Sequence, residues 1–259
     1  MANQRHLERF LEGSEVWNEW RRANPDILPD LSGVKLIGEG EIRYPPHPLP
    51  LRKLRNFYLQ GVNLERADLS YTDLYQVDLK HTNLRGADLS HASLVGSRLV
   101  SANLRGANLS HANLCGDPWS FSTNLRGANL IEADLSYAIL CASIMNDFGR
   151  YDGADLKQAN LKRANLSHAV LCCARLQQAN LEGANLSRAN LSYTNLRRAV
   201  LRRAYMEQVV AYHTDFQQAD LREVPRLLVM HMMREPGVEF AGIIWDGIEA
   251  KGEEEDGIS

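Results

Sequence analysis

Residues 102–114 read Ala102-Asn103-Leu104-Arg105-Gly106-Ala107-Asn108-Leu109-Ser110-His111-Ala112-Asn113-Leu114. With the leucine position called i, a small residue stands at i-2 and Asn or Asp at i-1. The same unit recurs as Ala67-Asp68-Leu69, Ala87-Asp88-Leu89, Ala159-Asn160-Leu161 and Ala184-Asn185-Leu186. A period of five suits neither ordinary element. On an α-helix five residues turn through about 500°, so the leucines would drift around the circumference. On a flat strand an odd step sends successive leucines to opposite faces. All of them can point inward only if the chain turns a corner once per repeat and winds into a tube. This predicts an all-β solenoid. Ala, Thr, Ser and Val at i-2 fit beside leucine in a narrow, densely packed interior, and Asn and Asp suit the corners.

The chain divides around this array. Residues 1–30 hold an amphipathic helical pattern with Leu7, Phe10, Leu11, Trp17 and Trp20 on one side and Pro25 beyond its end, which predicts an N-terminal α-helical cap. Residues 31–58 contain first repeats around Val34 and Leu36, interrupted by an excursion over 39–50 that is rich in proline. Residues 59–224 form the main array. Leucine occupies i at twelve consecutive positions from Leu59 to Leu114, then five repeats run from Leu125 to Met145 and fourteen from Leu156 to Leu221. Leu114 and Leu125, and again Met145 and Leu156, are eleven residues apart, which reads as two one-residue bulges marked by Trp119 and Phe121 and by Phe148. Residues 225–259 carry two apolar clusters and an acidic tail, which predicts a C-terminal cap that could also join two chains as a homodimer.

This recurrence of A-(D/N)-L-x-x is similar to the pentapeptide-repeat protein family. The resemblance implies a right-handed quadrilateral β-helix with four pentapeptides per coil, and far less about function. The leader from Trp17-Asn18-Glu19-Trp20-Arg21 to Pro29-Asp30-Leu31-Ser32-Gly33 also resembles leaders on cyanobacterial-type members. Some members imitate duplex DNA and bind DNA gyrase, inhibiting it or protecting it from toxins and quinolones. A DNA mimic wants a strongly negative rod, whereas residues 54–224 hold 18 Lys and Arg against 16 Asp and Glu. A gyrase partner is therefore the alternative, and an unidentified protein partner the preferred expectation.

With four repeats per coil, residues twenty apart stack. If each slip is a single bulge, one outward ladder contains Arg85, Arg105 and Arg126, a candidate partner-binding face for an acidic surface. A second contains Tyr71, His91, His111 and Glu132, a polar and partly aromatic stripe. His91, His111 and Glu132 are of zinc-ligand type, but no enclosed shell of supporting groups accompanies them, so no metal and no cofactor is expected. Cys115, Cys141, Cys172 and Cys173 follow neither metal nor disulfide-framework spacing and read as reduced outward thiols. No phosphate-binding loop, H-E-x-x-H or G-x-S-x-G occurs, so an enzyme is not expected. Arg197, Arg198, Arg202 and Arg203 form a late basic cluster, but the stacked column Lys162, Glu182, Arg202 and Arg222 mixes signs, which argues against nucleic acid. A net charge of -3 without an apolar run of membrane length or a secretory leader points to a soluble cytoplasmic protein.

Overall fold

The computed structural model describes residues 2–34, 59–116, 122–141 and 153–245. Four columns of parallel bridges run its length. Asp68 pairs with Asp88 and Asp88 with Asn108, twenty residues apart. Each coil therefore has four sides, named here by their inward leucines: face A from Leu59, face B from Leu64, face C from Leu69 and face D from Leu74. The repeat at Leu104 illustrates the wiring. Its N–H donates to Asn129 O of the next coil at 2.7 Å, Ala107 N–H returns to Leu104 O at 3.0 Å to close the corner, and Asn108 N–H reaches back to Ala87 O at 2.9 Å. Every backbone group so used is satisfied without a long strand.

The corner requires a left-handed residue at i+2. Glycine fills it at some turns, but Tyr71, His91, His111, Tyr137 and His168 adopt φ of 57° to 59° there. Inside, leucines at i and alanines at i-2 are at most 3% exposed. Where threonine replaces alanine its hydroxyl is paired, as in Thr82 Oγ1 donating to Leu59 O at 2.7 Å and Thr194 Oγ1 to Leu171 O at 2.7 Å. A hydroxyl in this dry interior is thus tolerated because a carbonyl of the preceding coil accepts it.

The two slips are not one-residue bulges. Arg98 bridges Asn124, so the offset rises from 20 to 26 residues and six residues are inserted between faces D and A. Asn124 bridges Asp155 at an offset of 31, an insertion of eleven. Among the described residues Leu114 is followed by Leu125 as the next inward leucine, and Leu140 by Leu156; Met145, expected as an inward rung, lies outside the described residues. The spacing of eleven had suggested two repeats plus one residue because five, five and one give the same count. Trp119, Phe121, Phe148 and the excursion over 39–50 lie outside the described residues. Thr123 fastens the first junction: its Oγ1 accepts Gly96 N–H at 3.0 Å and donates to Cys115 O at 2.7 Å. Deleting residues 117–122 would leave Leu114-Cys115-Gly116-Thr123-Asn124-Leu125, an unbroken pentapeptide. This variant is expected to fold with unchanged circular dichroism and a midpoint within a few degrees of the parent. Loss of the cooperative transition would refute the six-residue register.

At the N-terminal end, helix α1 (Gln4–Leu11) begins at Asn3, whose side chain accepts from Arg5 and His6 N–H, and helix α2 (Ser14–Ala23) follows. Helix α2 meets the open edge of the first coil. Trp17 Nε1 donates to Asn63 O at 2.8 Å, Asn18 Oδ1 accepts Asn63 N–H at 2.8 Å, and Asn18 Nδ2 donates to Gly61 O at 3.2 Å. Buried Arg21 donates to Ile27 O at 2.6 Å and Glu65 O at 3.1 Å. Residues 29–34 then add to face C, with Leu31 N–H on Asp68 O at 2.8 Å. At the other end the pattern does not stop at Pro225, as the sequence had suggested. Helix α3 (Arg226–Met232) intervenes, and Glu239 and Ile244 then bridge Asp215 and Asp220. Phe240 and Trp245 occupy two further inward rungs with larger side chains than leucine, Phe240 stacking on Phe216 at 5.1 Å.

Candidate interaction surface

The corrected register redistributes the outward residues. Arg85 and Arg105 remain neighbours at i+1 of face B, where the next residue is Ile131. Arg126 belongs to face A, between Val100 and Lys157, so the three arginines form no common ladder. Nor are the remaining two unaccompanied: Arg85 lies 3.8 Å from Glu65 and Arg105 3.5 Å from Glu132. Further along face B, Lys162 pairs with Glu182 at 3.1 Å, and Arg202 and Arg222 both bind Asp220. The exposed pairs among these contribute little to stability, and together with the buried Asp220 carboxylate they neutralise the face as an anion-binding strip.

Tyr71, His91 and His111 do stack, whereas Glu132 sits one corner away, between faces B and C. The ladder continues instead through Tyr137 and His168. The five rings run nearly parallel at the corner of faces C and D, with centroid spacings of 4.7, 4.8, 4.9 and 4.6 Å and interplanar angles of 3°, 2°, 4° and 6°. Their common left-handed backbone sends each side chain out in the same direction at the coil pitch, which is what brings the rings face to face. Stacked rings lose less side-chain freedom on docking than isolated ones, and aromatic pairs add about 0.5–1.5 kcal/mol beyond their burial.

Beside this stack, the i+1 column of face C is serine in coil after coil, including Ser70, Ser90, Ser110, Ser136 and Ser167, and the i-1 column carries Asp68, Asp88 and Asp134. The Asp and Asn side chains accept the serine N–H two residues on, for example Asp68 Oδ1 from Ser70 at 2.9 Å and Asp134 Oδ1 from Ser136 at 2.9 Å. On the other side of the stack, face D presents Ile139 and Val170 at i-1 with cysteines at i+1. A second aromatic group, Tyr193 stacked on His213 at 5.0 Å with Tyr212 edge-on, follows on face D. Between residues 59 and 224, the large apolar side chains exposed among the described residues are Tyr71, Tyr137, Ile139, Tyr193, Tyr205, Val210 and Tyr212. All lie on faces C and D or at the corners these faces end in, and faces A and B have none.

Single-residue bulges would leave Tyr137 and His168 off this ladder; insertions of six and eleven residues bring them onto it. One recurring signal could have found them. Asp68-Leu69-Ser70-Tyr71, Asp88-Leu89-Ser90-His91, Asn108-Leu109-Ser110-His111, Asp134-Leu135-Ser136-Tyr137 and Asn165-Leu166-Ser167-His168 are variants of one tetrad. Aligning them fixes both insertion lengths without coordinates. No helix among the described residues is long and apolar enough to cross a membrane.

No curated protein matches the chain at a significant level. Among solved structures, the chain is similar to HetL, a pentapeptide repeat protein involved in heterocyst differentiation regulation in the cyanobacterium Nostoc sp. strain PCC 7120. The two are 27% identical over 87% of this chain and 90% of that one, with a TM-score of 0.35. The pentapeptide repeat protein Rfr23 from the cyanobacterium Cyanothece 51142 is 27% identical over 75% of this chain and 97% of its own, with a TM-score of 0.17. Trypsin-treated QnrB1, a plasmid-mediated fluoroquinolone resistance protein, is 17% identical over 84% and 92%, with a TM-score of 0.43. A family model described as pentapeptide repeats matches in 8 copies over residues 53–86, 82–116, 122–147, 152–188 and 184–222. These segments span more than half of the chain, and the protein belongs to the pentapeptide repeat family.

Proposed function

We propose that this protein is a non-enzymatic interaction scaffold or regulator that docks a protein partner on faces C and D. The observation that carries this reading is that, among the described residues between 59 and 224, the exposed large aromatic and aliphatic side chains lie on those two adjoining faces and their corners, with a pre-stacked ring column at the corner they share. Aromatic residues concentrate binding energy at protein interfaces, and a rigid solenoid wall presents them at little entropic cost. In this reading the coil is right-handed, helices α1 and α2 act as its N-terminal cap, α3 with the last two rungs acts as the other cap, and the protein works in the cytoplasm.

An affinity pull-down from the native host tests it with two double variants, Tyr137→Ala with Ile139→Lys on the favoured faces and Arg85→Glu with Arg105→Glu on face B. The first is expected to weaken capture by roughly 30-fold or more, as loss of a central anchor does, and the second to leave it nearly unchanged. The opposite ranking would return the binding face to the arginines.

One observation favours a second reading. The carboxylates of Asp68, Asp88 and Asp134 share the i-1 column of face C with Asn108 and Asn165, a partly acidic line of the sort that imitation of duplex DNA for DNA gyrase would use. Inhibition or protection of gyrase supercoiling by micromolar protein, lost on Asp88→Asn with Asp134→Asn, would establish it. No effect in that assay would exclude it.

A further inference from the structure

The same register that moves the arginines apart brings three cysteines together. Cys115, Cys141 and Cys172 each stand at i+1 of face D in successive coils, although 26 and 31 residues separate them in the chain. Cys115 Sγ lies 3.7 Å from Cys141 Sγ. Cys172 follows Cys141 in the column on the side away from Cys115, near enough for its thiol to act on the Cys141 thiolate. Cys115 is buried, while Cys141 and Cys172 are partly open to solvent. The sulfurs run in a column rather than around a point, and among the described residues no group of three such side chains is arranged to hold a metal ion.

We propose that Cys115, Cys141 and Cys172 form a peroxide-reactive thiol column in which Cys141 is the attacking sulfur and a flanking cysteine closes a disulfide between adjacent coils. Three features support this. First, Cys141 stands between two thiols and shares a hydrogen bond with Cys115 in which either sulfur can donate; thiol neighbours stabilise a thiolate on the middle sulfur and lower its pKa, and together with burial push Cys115 and Cys172 up. A stabilised, accessible thiolate beside a resolving thiol is the arrangement that oxidation favours. Second, neighbouring coils place paired backbones about 4.7–4.9 Å apart, within the Cα separation a disulfide requires. The sulfurs must close from 3.7 Å to about 2.05 Å, a change that χ1 rotation of two cysteines can share. Third, the ladder bonds beside this column are long: Gly96 N–H, shared with Thr123 Oγ1 at 3.0 Å, reaches Cys115 O at 3.3 Å, and Gly116 N–H reaches Cys141 O at 3.4 Å, whereas Gly106 N–H reaches Ile131 O on face B at 2.8 Å.

The chemistry balances with hydrogen peroxide as oxidant. The Cys141 thiolate attacks one peroxide oxygen, the O–O bond breaks, and hydroxide leaves and is protonated to water, giving Cys141 sulfenic acid. The sulfur of Cys115 or Cys172 then attacks Cys141 Sγ, the S–O bond breaks, and hydroxide leaves with the thiol proton as a second water. Two thiols and one peroxide become one disulfide and two waters. The third cysteine keeps its proton and can exchange with the new bond, so that the crosslink shifts by one coil.

The test uses the full chain exposed to stoichiometric hydrogen peroxide, followed by intact mass, thiol titration and non-reducing peptide mapping. Wild type is expected to lose two hydrogens and two titratable thiols, to yield a peptide joining Cys141 to Cys115 or Cys172, and to recover with dithiothreitol. Cys141→Ser should oxidise at least roughly ten-fold more slowly, and Cys173→Ser should behave as wild type. In the Cys115→Ser, Cys172→Ser double variant, Cys141 should accumulate as a sulfenic acid trapped by dimedone, a readout that separates attack from resolution. Equal oxidation rates for wild type and Cys141→Ser, a crosslink through Cys173, or sulfinic acid on Cys141 without any disulfide would each overturn the proposal.

Discussion

Trp17→Ala is expected to destabilise the protein by about 3–5 kcal/mol, the cost of emptying a fully buried indole site. The indole is 0% exposed and packs edge-on against Phe10 at 5.0 Å and tilted against Trp20 at 5.0 Å. It also serves the first coil chemically. Among the described residues no coil precedes it along face B, and Trp17, Asn18 and Arg21 supply partners to its carbonyls and amides. Trp17→Phe separates the two contributions, since it retains most of the volume but orphans Asn63 O. Its cost should be about 1–3 kcal/mol, the penalty for an unsatisfied buried acceptor. Glu19→Ala on the exposed side of α2 provides a control, with a change within about 0.5 kcal/mol. Urea denaturation measures all three, and a loss below 1 kcal/mol for Trp17→Ala would mean that α2 does not support the array.

Much of the fold is legible in the sequence because the interior tolerates few residue types. Leu104 and Ala107 both point into a space that only a leucine and a small side chain can share, so the repeat announces itself wherever the coil continues. What the repeat does not encode is how many residues leave the coil between rungs. Six extra residues after Gly116 and one extra residue plus a whole pentapeptide give the same spacing, and the tetrad Asn124-Leu125-Arg126-Gly127 resembles Asn103-Leu104-Arg105-Gly106 although the two stand on different faces. An error of one face still leaves the leucines on either side of an insertion pointing inward, because every inward rung is alike. It scrambles the outer columns completely, because each face has its own surface. This is why Leu125 was placed inward correctly, whereas Arg126, Glu132 and the cysteine column were not placed correctly. The rungs at Phe240 and Trp245 were missed for a different reason. Helix α3 breaks the period, and their bulky inward side chains replace the leucine that marks the repeat elsewhere.

The insertions also make the coil from Leu125 to Leu140 the weakest link in the array. Its covalent connections to both neighbours are interrupted, by six residues on one side and eleven on the other. It is coupled to them by ladder hydrogen bonds and by the leucine column Leu109, Leu135 and Leu166, with Leu109 N–H on Asp134 O at 2.6 Å and Leu135 N–H on Asn165 O at 2.7 Å. Solenoid stability is approximately a sum of coil terms and nearest-neighbour interfaces. Leu135→Ala, at a site 0% exposed, should cost about 3–5 kcal/mol and weaken both interfaces of this one coil. Unfolding in urea is then expected to split into two transitions, one for the coils before residue 116 and one for those after residue 153. Leu89→Ala is equally buried, but its coil is joined to the next by an unbroken run of pentapeptides. It should cost a similar amount and leave a single transition, because the chain as well as the packing holds its neighbours together. Hydrogen exchange locates the effect: Leu135→Ala should deprotect the amides of Leu109 and Leu135 well before that of Leu186. Indistinguishable unfolding profiles for the two variants would show that packing and hydrogen bonds across the interrupted junctions are as strong as those within the continuous array.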